Sequence, residues 1–302
     1  MRTLFVLLAA CHGAPPTAPV AREAACAVAL PKLAAQHTPN VTTVYLAPFT
    51  IHGDAVAIGT PARATPKHGY VNQASFSLDG KGLYFTWRPD GSQADIWYRD
   101  LATGAERAVT CSSEEEYGAT QTADGFVVIR VEPDLTRRLV RLDPAGNVVR
   151  ALFPEVPNIG AYLWIDDDTT ALFFGDDKGT RIALGNPRTG AVVTVAENVN
   201  AAMSVIPGAG AISFIDQSDE KASRLMRLDL KTRAITPVMQ VPAGVERVAW
   251  LGDGSVLYGD GTKLMRGTAN APAREVAELR GSIEGAITRV SVGADRLAIV
   301  TH

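Results

Sequence analysis

Short apolar runs, each ended by a polar turn, follow one another from residue 43 to the C-terminus. Gly82-Leu-Tyr-Phe-Thr-Trp87 is followed by Asp95-Ile-Trp-Tyr-Arg-Asp100 and then by Ala105 to Thr110. The layout returns in Tyr162 to Ile165, Ala171 to Phe174, Arg181 to Leu184 and Ala191 to Val195. Runs this short, rich in β-branched and aromatic residues, predict strands. Their continuous rather than alternating hydrophobicity predicts strands covered on both faces.

The turns between the runs recur at a fixed interval. Asp100-Leu-Ala-Thr103-Gly104, Asp143-Pro-Ala-Gly146, Asn186-Pro-Arg-Thr189-Gly190 and Asp229-Leu-Lys-Thr232-Arg233 begin 43 residues apart. Asx side chains close such turns on their own backbone, and Gly accepts the positive φ that ends them. A second series comprises Ser77-Leu-Asp79-Gly80, Thr122-Ala-Asp124-Gly125, Asp166-Asp167-Asp168, Pro207-Gly208-Ala-Gly210, Gly252-Asp253-Gly254 and Gly293-Ala-Asp295. It advances in steps of 41 to 45 residues. Asp-Gly between apolar runs marks a tight hairpin. A period near 43 with about four strands per unit is the signature of a propeller blade, and six hairpins predict an all-β, six-bladed β-propeller. The sixth unit has only Thr288 to Val292 and Arg296 to Thr301 before the chain ends. Its missing strands are predicted at the other end, in Thr43-Val-Tyr45-Leu46-Ala-Pro-Phe49 and Asp54-Ala-Val56-Ala-Ile58-Gly59-Thr60, which would close the ring and leave no open edge.

One unit carries a more specific pattern. Ala74-Ser-Phe76-Ser77-Leu78-Asp79-Gly80-Lys81-Gly-Leu83-Tyr-Phe85-Thr86-Trp87 resembles the WD40-like PD40 repeat of TolB-type propellers, with Ala74 and Leu78 where that repeat usually has proline. Asp95-Ile96-Trp97 is similar to the Asp-Ile-Tyr that opens the third strand of such repeats. Residues 43–302 as a whole resemble TolB-like six-bladed propellers of the bacterial envelope. The resemblance implies a disc with a central channel, often used to hold partner proteins. It implies no shared catalytic set, because propellers host unrelated functions.

The N-terminal residues differ in kind. Arg2, the apolar run Leu4 to Ala10 and the ending Leu8-Ala9-Ala10-Cys11 read as an export signal over residues 1–10, and the ending resembles a bacterial lipobox with Cys11 as the lipidated residue. Acyl chains on Cys11 would hold the protein to a membrane. Residues 11–40, with Pro15, Pro16 and Pro19 ahead of an Ala-rich stretch, read as a tether, and residues 41–302 as the propeller. The other cysteines, Cys26 and Cys111, form a disulfide in an oxidising compartment or stand as two separate thiols.

Composition narrows the function. A net charge of −3 excludes a general nucleic-acid binder, which needs a clear Lys/Arg excess. No stretch reaches the roughly 18 apolar residues of a membrane helix. The histidines are His12, His37, His52, His68 and His302, so none falls in the middle blades, where a channel metal would draw its ligands. The acidic runs Glu114-Glu115-Glu116 and Asp166-Asp167-Asp168 lack the alternating spacing of a calcium loop. No nucleophile elbow, phosphate loop or dinucleotide motif is present. Neither a metal nor an organic cofactor is expected.

What remains is a surface. The connections from each fourth strand to the next blade, and from second to third strands, share one face of a propeller. On that face the sequence places His68, Tyr70, Asn72, Trp87, Arg88, Tyr117 and Tyr162. Amphipathic aromatics and Arg are the residues enriched in binding hot spots, so this group is the candidate site for an envelope protein or peptide. The competing expectation is a small-molecule hydrolase or lyase at the channel mouth, recognisable by a carboxylate of perturbed pKa beside an Arg.

Overall fold

The computed structural model describes residues 41–302 apart from 54, 90, 91, 220–222 and 270. The signal segment, the tether, Cys11 and Cys26 lie outside the described residues. The described chain is all-β. It begins with β1 (Thr43–His52), β2 (Ala55–Ile58) and β3 (Ala62–Arg63). Blade 1 is β4 (Tyr70–Phe76), β5 (Gly82–Arg88), β6 (Asp95–Asp100) and β7 (Glu106–Ala108), and blade 2 is β8 (Glu115–Thr122), β9 (Gly125–Val131), β10 (Arg137–Leu142) and β11 (Val148–Ala151). Blade 3 is β12 (Ala161–Trp164), β13 (Thr170–Asp176), β14 (Gly179–Gly185) and β15 (Val192–Glu197). Blade 4 is β16 (Ser204–Ile206), β17 (Ala211–Asp216), β18 (Ser223–Asp229) and β19 (Ile235–Val241). Blade 5 is β20 (Ala249–Trp250), β21 (Val256–Asp260), β22 (Lys263–Thr268) and β23 (Ala271–Glu278). β24 (Ile287–Val292) and β25 (Arg296–Thr301) open blade 6. Blades 1 to 5 are antiparallel meanders with their strands in sequence order, and the sixth sheet runs β24-β25-β1-β2, so the structure is a six-bladed β-propeller.

The apolar runs are covered on both faces. Five consecutive residues of β5, β9, β17 and β25 are buried in each case. They feed six hydrophobic clusters, one at each junction between neighbouring blades. The outer strand β11 lets most of its side chains reach solvent, as an edge strand must.

The ring is closed by the N-terminal segment. β1 pairs antiparallel with β25 from Thr43↔Thr301 to Pro48↔Arg296, which makes it the third strand of blade 6. The outermost place is shared. β2 pairs with the far half of β1, and the two-residue β3 pairs with Tyr45 and Leu46. That second segment is absent from the sequence reading, because Ala62 and Arg63 carry no strand signal of their own. Thr42 extends the clasp to blade 1: its Oγ1 donates to the Val71 carbonyl at 2.8 Å and accepts the Val71 N–H at 2.9 Å.

The recurring turns form as their residues dictate. Asp100 Oδ1 accepts the N–H groups of Ala102 and Thr103, and Asp229 Oδ1 accepts those of Lys231 and Thr232. These bonds favour the ionised form and draw the Asp229 carboxyl down to about 2. The residue that completes each turn has positive φ: Gly104 at 75°, Gly146 at 82°, Gly190 at 76° and Arg233 at 65°. Only the last copy forces a Cβ into this region, at a penalty of about 1 kcal/mol. Arg233→Gly is therefore expected to raise stability by about 0.5–1 kcal/mol, measured by urea unfolding. A loss of stability would show that the Arg233 side chain holds more than the backbone gives up.

Candidate functional site

Because every blade is an up-and-down meander, the first strands run side by side around the axis, all starting from the connection face. They line a central cavity of about 460 Å³. Near the connection face each blade contributes one residue at the matching point of the repeat. These are Gln73, Tyr117, Gly160, Met203, Arg247 and Arg289, separated by 44, 43, 43, 44 and 42 residues. The mouth is thus assembled by the period that builds the fold. Its chemistry is asymmetric, with two arginines on adjacent blades 5 and 6 and a tyrosine on blade 2.

Local irregularities set the residues on the blade 1 and 2 side. β4 carries a bulge between Asn72 and Ser75, and β8 carries one between Tyr117 and Thr120. Gln73 sits in the first bulge at φ 55°, a conformation unfavourable for a residue with a Cβ, while Gly118 occupies the second at φ 69°. Thr86 bridges them. Its hydroxyl donates to Gln73 Oε1 at 2.8 Å and accepts the Gly118 N–H at 3.0 Å. A strained side chain held in this way at a channel wall is the kind of feature that clusters at functional sites.

A charged group surrounds the mouth. The Arg88 guanidinium lies 4.9 Å from the centre of the Tyr70 ring and 3.6 Å from the Glu115 carboxylate. Burial pushes the Tyr70 hydroxyl up, with Arg289, Arg88 and Arg247 pulling the other way. Tyr117 is pushed up to about 12 by burial, against the opposing charge of Arg137. Arg247, half-buried, is driven down to about 9, first by loss of hydration and then by the like charge of Arg289. The Nε of Arg289 is buried without a hydrogen-bond partner.

The sequence-predicted residues divide into two sets. Tyr70, Arg88 and Tyr117 come together at the mouth. The other four serve the scaffold. Trp87 packs edge-on to Trp97 at 5.2 Å, with the Lys67 ammonium 4.0 Å from its ring centre, and its indole N–H donates to the His68 carbonyl at 2.8 Å. His68 is exposed and contributes that backbone oxygen. Asn72 is buried and accepts the N–H of Gln73 at 2.6 Å. Tyr162 lines the cavity with its ring, but its hydroxyl is 2.7 and 2.6 Å from the carbonyl oxygens of Gly118 and Val127, tying blade 3 to blade 2. The sequence reading missed Arg137, Arg247 and Arg289. Steps of 43 residues from Tyr117 reach Arg289 and fall one residue short of Arg247.

The acidic runs are consumed internally. Asp167 and Asp168 receive Arg141 and Arg188 at 3.0 and 2.7 Å, while Glu114 pairs with Arg130. Among the described residues no cluster of His, Cys, Asp or Glu is arranged to hold a metal ion. Two carboxyls are strongly perturbed, Asp95 up to about 7 and Glu116 up to about 8, both chiefly by burial. Neither lines the cavity. Cys111 is disulfide-bonded, and its partner lies outside the described residues.

A six-bladed propeller with an arginine-bearing channel is therefore the class the fold and mouth define. No protein-family profile matches the chain, and no curated protein matches it. Solved structures do. The chain is similar to the putative TolB of Agrobacterium tumefaciens, with a TM-score of 0.64 at 12% identity over 87% of this chain and 99% of that one. It is similar to TolB of Acinetobacter baumannii, with a TM-score of 0.59 at 10% identity, spanning 87% of this chain and 64% of that longer one. An oligogalacturonate lyase in complex with manganese matches with a TM-score of 0.54 at 15% identity, over 80% of this chain and 79% of that one. The chain has a TolB-like six-bladed propeller fold. At these identities the likeness shows the fold alone.

Proposed function

We propose that the protein is a non-catalytic, lipid-anchored propeller of the bacterial envelope that binds a protein or peptide partner on its connection face. The observation that carries this reading is the mouth itself, where Tyr70, Tyr117 and Arg88 converge above a cavity whose lining contains arginines and no acidic side chain. Aromatics and Arg around a water-accessible cleft are what a recognition surface uses. Acid–base catalysis would want a carboxyl of raised pKa within reach of a ligand, and the two raised carboxyls stand between blades 1 and 2 instead. That arrangement leaves a small-molecule hydrolase or lyase as the weaker reading. The disc with a central channel that a TolB-like fold provides is compatible with the binding reading, and the Leu8-Ala9-Ala10-Cys11 lipobox supports attachment to a membrane through Cys11. With Cys11 lipidated, Cys26 is the partner we assign to Cys111.

The test is cross-linking of the protein in its native envelope, followed by mild detergent extraction and identification of what co-purifies. A reproducible protein partner is expected, and Tyr70→Ala with Tyr117→Ala should abolish its capture. A digest of the same preparation without reductant should yield the Cys26–Cys111 peptide. Capture unchanged in the double variant would move the binding surface away from the mouth, and a soluble, unlipidated protein would remove the anchor.

A further inference from the structure

We propose that Arg247 and Arg289 form a carboxylate-binding subsite inside the channel, which takes a peptide bearing a free carboxylate next to an apolar side chain. The inference rests on the binding reading above and specifies its ligand. The two arginines stand on adjacent blades at matching points of the repeat and line one cavity. Each is close enough to the other for their charges to repel, and hydration that would relieve the repulsion is partly stripped from Arg247. The surrounding groups offset their charge only in part: the pull of Glu246 on Arg247 is smaller than the push of Arg289. Glu115 is engaged by Arg88, Tyr70 is a neutral phenol at physiological pH, and Glu246 is an exposed neighbour in sequence. The buried Nε of Arg289 has no acceptor. A guanidinium withdrawn from water without a counter-ion is unfavourable, and two together are more so. An anion placed between them would offset the repulsion, and the terminal nitrogens of planar guanidinium forks match a carboxylate in particular.

The rest of the cavity says what else the ligand carries. Beside the arginines the apolar part of the wall that stays accessible is Val205 and Val292, with Trp250 nearby, while the side chains of Met203, Val248 and Val290 are packed into the blade junctions. A bare inorganic anion would leave that surface wet. A carboxylate attached to an aliphatic or aromatic group would cover it, as at the end of a peptide chain or beside an acidic residue. The tyrosines at the rim then meet the remainder of the peptide.

The experiment uses the full chain and the fluorescence of the tryptophans, Trp250 among them. Four probes are titrated: N-acetyl-Gly-Leu with a free carboxylate, the same dipeptide as its amide, N-acetyl-Glu-Leu amide, and inorganic phosphate. Saturable binding of N-acetyl-Gly-Leu is expected, at least tenfold tighter than its amide. Arg247→Gln and Arg289→Gln should each erase that difference. Binding of N-acetyl-Glu-Leu amide alone would assign the subsite to an acidic side chain rather than a chain terminus. Phosphate binding as tightly as the dipeptide, or no preference for carboxylate over amide, overturns the proposal. A second measurement needs no ligand: with the repulsion removed, Arg247→Gln should melt higher than the wild type, and a lower melting temperature counts against a repulsive pair. The parent reading fails separately. A partner captured in the envelope with equal yield from both Gln variants would keep the binding function and sink the carboxylate subsite.

Discussion

A chain lacking residues 41–63 is expected not to fold. That segment holds β1, β2 and β3, and with it blade 6 loses its third strand and its outer edge. The loss reaches both neighbouring junctions. Tyr45, Ala47 and Phe49 belong to the cluster between blades 5 and 6, while Val44 belongs to the one between blades 6 and 1. Burying the three larger side chains contributes roughly 1.5–3 kcal/mol each. The sum is comparable with the whole stability of a typical domain, about 5–15 kcal/mol. The truncated ring would also present β25 as an open edge carrying Leu297, Ile299 and Val300, so aggregation rather than a smaller propeller is the expected fate. The check is expression and circular dichroism of the truncated chain beside Tyr45→Ala in the full chain. Tyr45→Ala removes a buried ring and the hydroxyl that accepts the Glu284 N–H at 3.1 Å, and should lower stability by about 3–5 kcal/mol while leaving a folded protein. A soluble truncated chain that melts cooperatively would show that the ring does not depend on its clasp.

The blades were legible because their punctuation is local. An Asx side chain closing on its own backbone and a residue at positive φ form the same turn wherever they occur, so four such turns gave the period and six tight hairpins gave the number of blades. The clasp was legible only in outline. The pairing of Ala62 and Arg63 with Tyr45 and Leu46 is non-local, and nothing in those residue types encodes it. The mouth was half legible for a related reason. Residue type picked out Tyr70, Arg88 and Tyr117, but it equally picked Trp87, Asn72 and Tyr162, whose polar atoms are taken up by the scaffold. Which way a side chain points depends on strand parity, and the bulges in β4 and β8 shift parity within the strands that line the channel. Arg247 and Arg289 escaped because each sits in a different stretch of sequence, and only the closed ring sets them side by side.

Stability is expected to fall as pH rises from about 5 to 8.5, and Asp95→Asn with Glu116→Gln should remove most of the fall. The two carboxyls meet between β6 and β8. Asp95 accepts the Thr110 hydroxyl at 3.1 Å, and Glu116 accepts the Ser112 hydroxyl at 2.6 Å while its second oxygen is buried without a partner. Arg130 stands 3.7 Å from Glu116 but is shared with Glu114 and Glu132, so it does not neutralise the pair. Burial holds Asp95 up to about 7 and Glu116 up to about 8, and the charge of Asp95 adds to the latter. In the unfolded chain both ionise near pH 4. Between those limits the folded state carries more protons than the unfolded state, so each rise in pH favours unfolding until both groups have ionised. Because each group disfavours the other's charge, the loss belongs to the pair rather than to either residue. The amide variants keep the hydrogen-bond acceptors and have no charge to bury. Their advantage over the wild type should grow by at least about 2 kcal/mol between pH 5 and pH 8.5, or roughly 5 °C or more in melting temperature. Urea unfolding of the wild type, both single variants and the double variant at pH 5, 7 and 8.5 separates the pair from every other titrating group, because only the difference between chains is read. A difference that does not grow with pH would mean that Asp95 and Glu116 are ionised in the folded protein, and that Arg130 with the surrounding hydroxyls holds them so.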